Sequence, residues 1–250
     1  LPDEIENNIK DYLIFKPKST DELQDAVDLW CEDREKAINK YGHISEWDTS
    51  LITDMSELFF EKKNFNDNIS KWDVSNVKDM TYMFWQAKLF NQPLNSWDVS
   101  SVTNMAGMFN EASLFNQPLN LWNVSNVTVM RFMFSEAIRF NQPLSSWDVS
   151  SVNDMESMFQ IALSFNQPLN SWDVSSVTNM NYMLYDAREF NQPLDKWNVS
   201  SVTNMHSMFM EASSFNQSLE LWNVSNVNDM TYMFTESCFN RNNAPWYDFN

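Results

Sequence analysis

Glycine, cysteine and histidine are each present only twice in 250 residues. Two glycines, Gly42 and Gly107, cannot build a phosphate-cradling loop, which excludes the Walker and dinucleotide fingerprints. His43 and His206 lie in different parts of the chain, so no His/Cys zinc cluster can be assembled. Cys31 and Cys238 sit one near each end, and an open repeat array holds them far beyond the roughly 7 Å between Cα atoms that a disulfide spans. No apolar run approaches a membrane span, and no signal peptide is visible at the start. Cationic residues are also scarce, 16 against 34 acidic for a net charge of −18. That balance argues against a nucleic-acid or anionic-membrane partner, which the chain would repel.

What is present is a tryptophan at every twenty-fifth residue: Trp47, Trp72, Trp97, Trp122, Trp147, Trp172, Trp197 and Trp222. A period of this length with no slippage is the signature of a solenoid of eight coils. Counting from each tryptophan as position 1, apolar residues fall at positions 1, 3, 6, 9, 12, 13, 16, 19 and 23 of the coil that starts at Trp97. Met105, Met108, Phe109, Ala112 and Phe115 follow helical spacing, so helical turns are expected in the second half of each coil. Leu94, Trp97, Val99 and Val102 imitate leucine-rich spacing, so a short parallel strand is expected through each Trp-Asp-Val. The fold expected is therefore α/β: a right-handed, leucine-rich-repeat-like solenoid of eight 25-residue coils, with short parallel strands and helical turns, capped at both ends. The boundaries are an N-terminal helical cap over residues 1–46, the solenoid over 47–239 and a C-terminal cap over 240–250. Ser19-Thr20-Asp21-Glu22 has the form of a capping box and Gly42 that of a helix stop. Trp246 is placed over the last rung.

Most ladders read as scaffold. The asparagines at position 20, from Asn66 to Asn216, can satisfy backbone groups at a turn. The methionines of positions 9 and 12 are core filler. Position 11 alternates large and small, through Tyr82, Gly107, Phe132, Ser157, Tyr182, Ser207 and Tyr232. Rungs about 5 Å apart leave no space for a ring in every coil, so the alternation reads first as packing and second as an aromatic binding strip made by Tyr82, Phe132 and Tyr182. At position 2, Asp73, Asp98, Asp148 and Asp173 read first as Asx caps of the following turn and second as a shallow polar face for sugars or cations. Position 15 carries an acidic strip, Glu61 to Glu236, and position 14 carries Phe60, Trp85, Tyr185 and Met210. Trp85, Tyr185 and Met210 are the candidate binding anchors, because aromatic anchors dominate interface energetics. Serine repeats in every coil without a histidine in register, so no nucleophile is assigned. No catalytic residue, metal ligand or cofactor is expected.

WDVSSVTNM, MxxMFxxA and FNQPL together resemble the BspA-like leucine-rich surface-protein repeat, the mycoplasma and listeria lipoprotein-type repeat. The resemblance covers about residues 47 to 240, and the segment ending in YGHISEWDTS resembles an opening module found before such arrays. It implies a leucine-rich-type solenoid used in surface display, adhesion or protein interaction, with no catalytic residues to carry over. The expectation is a non-enzymatic recognition or adhesion solenoid that binds a protein or glycan across several coils. It would act at a cell surface, as a secreted protein or on a virion, without direct membrane insertion. The alternative is a structural spacer or assembly subunit without a specific ligand.

Overall fold

The computed structural model describes residues 14–248. Residues 1–13 of the expected N-terminal cap and 249–250 of the expected C-terminal cap lie outside the described residues. Two helices open the described chain, α1 over Thr20–Glu32 and α2 over Arg34–Tyr41. Ser19 caps α1 by accepting from the Glu22 N–H at 3.2 Å, and the Glu22 carboxylate returns to the Lys18 N–H at 2.8 Å. Asp33 caps α2, and Gly42 at φ 73° ends it with its N–H on the Ile38 carbonyl.

From Trp47 onward the chain is a stack of eight near-identical coils, but the expected α/β content is not formed. Among the described residues the only β-type pairing is seven isolated parallel bridges, which join position 8 of each coil to position 8 of the next. No helix lies within the coils. The missing strand has a local cause. Position 2 folds back on the N–H of position 4, as Asp73 does on Ser75 at 3.0 Å. Tight turns then take the neighbouring N–H groups, Trp72 onto Ile69 and Val77 onto Val74. Turns thus close on both sides of Trp-Asp-Val and bend the chain before the segment can lengthen into a strand.

The helical turns are replaced by a different device. Among the described residues fifteen other than glycine have positive φ and, with Gly107, they occupy positions 11 and 15 of every coil. Left-handed residues at that spacing interrupt any α-helix. The N–H groups at positions 9, 11, 13 and 15 point instead into the next coil. Met80, Tyr82, Phe84 and Gln86 donate to the carbonyls of Asn104, Ala106, Met108 and Asn110 at 2.8–3.0 Å. The intervening N–H groups close tight turns inside the coil, as Met83 onto Met80 and Trp85 onto Tyr82 do. The i, i+3, i+4 apolar spacing thus marks the buried side of a chain of linked turns, which points the same side chains inward as a helix would.

The core is built by like stacking on like. Consecutive position-13 phenylalanines lie 5.2–5.7 Å apart between ring centroids. Position-19 phenylalanines lie 5.7–6.1 Å apart, and Phe239, at position 18 of the last coil, continues the stack at 5.8 Å from Phe215. Interplanar angles of 1–18° make these offset stacks, the favourable arrangement for aromatic quadrupoles. Each tryptophan adds a hydrogen bond: Trp122 Nε1 donates to the Leu94 carbonyl, Trp147 to Leu119 and Trp172 to Leu144. That bond explains why position 1 is tryptophan and not another large apolar residue.

The two ends differ. Over the first coil, Phe15, Trp30 and Tyr41 pack on Trp47. Thr20 Oγ1 donates to the Asp54 carbonyl and Gln24 Nε2 to the Leu58 carbonyl. These are position-8 and position-12 acceptors that a preceding coil would otherwise serve. At the other end Trp246 stacks on Trp222 at 6.3 Å and donates to the Leu219 carbonyl, so it stands in the place of a ninth tryptophan.

Candidate functional site

Polar residues that repeat are largely consumed within the stack. Each position-20 asparagine accepts two bonds from the next coil, as Asn141 does from the Asn166 N–H at 3.0 Å and from Gln167 Nε2 at 2.9 Å. Threonines at position 7 donate to the preceding coil, Thr103 to the Lys78 carbonyl and Thr128 to the Thr103 carbonyl. The position-2 aspartates form Asx caps. Asp73, Asp98, Asp148 and Asp173 each accept from the N–H two residues on at 3.0–3.1 Å, and Asn123, Asn198 and Asn223 do the same at 3.2 Å. The serine that follows holds Asp98, Asp148 and Asp173 below the usual carboxylate range, through its hydroxyl first and its N–H second. All four aspartates are exposed. A second Asx ladder at position 8, absent from the reading of the sequence, includes Asp79 on the Thr81 N–H at 2.7 Å and Asp154 on the Glu156 N–H at 3.0 Å.

Among the positions at which the coils differ from one another, 10, 11, 14 and 15 bring side chains together in two groups. In the first, Trp85 lies edge-on to Phe60 at 4.5 Å and tilted beside Tyr82 at 5.3 Å. Its Nε1 donates to Glu111 Oε1 at 3.2 Å, and Gln86 donates to both oxygens of the same carboxylate. In the second, Tyr185 donates its hydroxyl to Glu211 Oε1 at 2.9 Å, which raises the phenol above its ordinary range. Tyr182 meets Tyr185 edge-on at 5.7 Å. Met210 is half-buried, with its sulfur 3.6 Å from Ser207 Oγ. Phe132 stands half-exposed in the fourth coil, between the coils of the two groups; in the same coil the exposed Glu136 carboxyl is raised by desolvation and then by Glu111.

The position-11 alternation is a packing rhythm. The Tyr82 ring occupies the space that a Cβ on Gly107 would need, with Cε1 at 2.1 Å. In the large-then-small order, Ser157 follows Phe132 and Ser207 follows Tyr182, and both serines are buried. Tyr82, Phe132 and Tyr182 nonetheless remain half-exposed, as do Trp85 and Tyr185.

One constellation escaped the reading of the sequence. His206 Nε2 lies 3.0 Å from the Tyr182 hydroxyl, its Nδ1 lies 3.6 Å from Asp229 Oδ2, and its ring meets Tyr232 edge-on at 5.8 Å. The three polar residues come from positions 11, 10 and 8 of three consecutive coils. The available signal was their adjacency across coils, which is invisible when histidine is sought at one fixed position. Among the described residues no group of three or more His, Cys, Asp or Glu side chains is arranged to hold a metal ion, and no helix is long and apolar enough to cross a membrane. Cys31 and Cys238 are unpaired and exposed.

These features define a tandem-repeat protein whose repeated residues hold the coils together and whose aromatic and acidic residues at positions 11, 14 and 15 differ from coil to coil. The chain belongs to the family described as Mycoplasma protein of unknown function, DUF285, which matches residues 31–147 and, overlapping, 130–247. No curated protein and no solved structure matches the chain.

Proposed function

We propose that this chain is a non-enzymatic recognition module that engages a protein or glycan partner across several coils, in the manner of BspA-like adhesion repeats. Its setting on this reading is a cell surface, the secreted space or a virion. The observation that carries the reading is the contrast between ladders and face. Repeated polar groups are occupied by bonds within and between coils, while Trp85 and Tyr185 stand half-exposed and are each held by a carboxylate of the following coil. An aromatic side chain already fixed in one rotamer loses little entropy on binding, so it can serve as a preorganised anchor. Several such contacts on one rigid body add in avidity.

The alternative is a structural spacer, and the continuity of coil-to-coil bonding from Met55 to Glu211 favours it, because such a stack transmits shape without needing a ligand. The two readings separate in a binding screen of the chain against glycan arrays and cell-surface extracts, run beside a Trp85→Ala/Tyr185→Ala variant. A saturable partner lost in a variant that still melts cooperatively supports recognition. Absence of any partner, or a partner bound equally by the variant, sinks it.

A further inference from the structure

The two groups at positions 11, 14 and 15 are one arrangement built twice. Among the eight coils only the second and the sixth carry a ring at both position 11 and position 14, Tyr82 with Trp85 and Tyr182 with Tyr185. The paired rings lie 5.3 Å and 5.7 Å apart between centroids. In each pair the position-14 ring donates to a glutamate at position 15 of the next coil, Trp85 Nε1 to Glu111 at 3.2 Å and the Tyr185 hydroxyl to Glu211 at 2.9 Å. In each, position 11 of that next coil is small, Gly107 under the Tyr82 ring and buried Ser207 after Tyr182. All four rings are half-exposed.

Stacking does not require this recurrence. The third and fifth coils fill positions 11 and 14 with Gly107 and Asn110, and with Ser157 and Gln160, and they bond to their neighbours through the same main-chain groups. What the arrangement supplies is an electron-rich ring face beside a negative charge. A ring whose N–H or O–H donates to a carboxylate gains electron density on its face, and that face attracts a cation. The groups that bond Glu111 are Trp85 and Gln86, and the group that bonds Glu211 is Tyr185. All three donors are neutral, so each carboxylate keeps its charge. Arg188, which acts on Glu211, is itself engaged by Asp186 at 2.7 Å.

We propose that each ring pair with its glutamate is a subsite for an arginine side chain, and that the two subsites together bind one extended segment of a partner protein carrying two arginines. The proposal rests on the recognition reading above and names the partner's chemistry, a basic protein segment in place of a glycan. A guanidinium suits the subsite because its flat face stacks on a ring while its N–H groups bond a carboxylate. A net charge of −18 draws a basic partner toward this face. Four coils set the subsites about 20 Å apart, a distance that an extended chain spans in about six residues. Between them position 14 holds Asn110, Ser135 and Gln160, so no further ring at that position interrupts the strip.

The probe is a peptide with blocked ends, Arg-Ser-Gly-Ser-Gly-Ser-Arg, titrated into the full chain and followed by NMR through the Trp85 indole N–H and the Tyr185 ring. Both reporters are expected to move on one saturation curve with one peptide per chain. Replacing either arginine by glutamine, or placing the two only two residues apart, should weaken binding at least about tenfold, equivalent to about 1.4 kcal/mol, because the second contact is lost. Trp85→Ala and Tyr185→Ala should each reduce the two-arginine peptide to the affinity of the one-arginine peptide. Either variant should leave the one-arginine peptide within about twofold, since one subsite remains. Glu111→Gln keeps an oxygen that accepts from Trp85 and removes the charge, and it too should weaken the two-arginine peptide. Equal affinity of the one- and two-arginine peptides, or no saturation up to about 1 mM, overturns the proposal. So does a neutral oligosaccharide that moves the same two reporters where the peptide does not. If the peptide fails while the screen still yields a partner lost in the Trp85→Ala/Tyr185→Ala variant, the arginine assignment falls and the recognition reading stands.

Discussion

Replacing Gly107 by alanine isolates one packing rule of the stack. Position 11 has φ between 52° and 62° in all eight coils, yet it holds glycine only once. Backbone conformation therefore does not demand glycine there. What distinguishes Gly107 is the Tyr82 ring, whose Cε1 and Cδ1 lie 2.1 and 2.2 Å from where the alanine Cβ would stand. The left-handed conformation costs an L-residue about 1–2 kcal/mol. Displacing the ring from its place beside Trp85 adds about 1–3 kcal/mol, the range for an overpacked methyl group. Gly107→Ala alone is thus expected to lose about 2–5 kcal/mol in urea unfolding followed by tryptophan fluorescence. In a Tyr82→Ser background the second contribution vanishes, so the same change should lose only about 1–2 kcal/mol. Serine is a fair replacement because Ser157 and Ser207 already hold this conformation. An equal loss in both backgrounds would refute the reasoning and assign the glycine to its backbone angle alone.

Three further outcomes follow from the ladders. Trp147→Phe removes the indole donor to the Leu119 carbonyl, which keeps its bond from the Trp122 N–H, so about 1 kcal/mol plus a small cavity contribution should be lost on thermal melting. Asn141→Ala leaves the Asn166 N–H and the Gln167 amide without their acceptor and should cost about 1–3 kcal/mol, whereas Asn141→Asp keeps an acceptor oxygen and should cost less by the same assay. Asp98 has a native pKa depressed below the ordinary value of 3.8, so its stabilisation is present above that pH and is lost as pH falls through the lower native value. Asp98→Asn should therefore leave stability at pH 7 nearly unchanged, as Asn123 already makes the same cap, and should flatten the acid limb of a stability-against-pH curve below about pH 4.

The repeat, its inward residues and the helix signals around Ser19 and Gly42 were legible because each is written in side chains. A tryptophan every 25 residues demands coils in register, and an apolar residue at position 13 demands burial whatever backbone carries it. The backbone itself was misread. Helical turns and leucine-rich strands share their apolar spacing with a run of linked turns, and the difference lies in left-handed residues at positions 11 and 15. Apart from Gly107 and Asp186, those positions hold Tyr, Phe, Ser, Gln, Ile and Glu, none of which announces a positive φ as glycine or asparagine would. The candidate anchors divide similarly. Trp85 and Tyr185 stood out by column, whereas the carboxylates that hold them, and the pairing of His206 with Tyr182 and Asp229, depend on neighbours 23 to 26 residues away in sequence.

The central claim is that each coil bonds to the next where a helix would bond to itself. Scalar couplings measured by NMR across hydrogen bonds decide it most directly. The account predicts a coupling from the Phe84 nitrogen to the Met108 carbonyl carbon, one coil away, and the same link from Phe109 to Met133 and from Phe134 to Met158. Couplings from Phe84 to Met80, from Phe109 to Met105 and from Phe134 to Met130 would mean that the coils are helical after all and would contradict it.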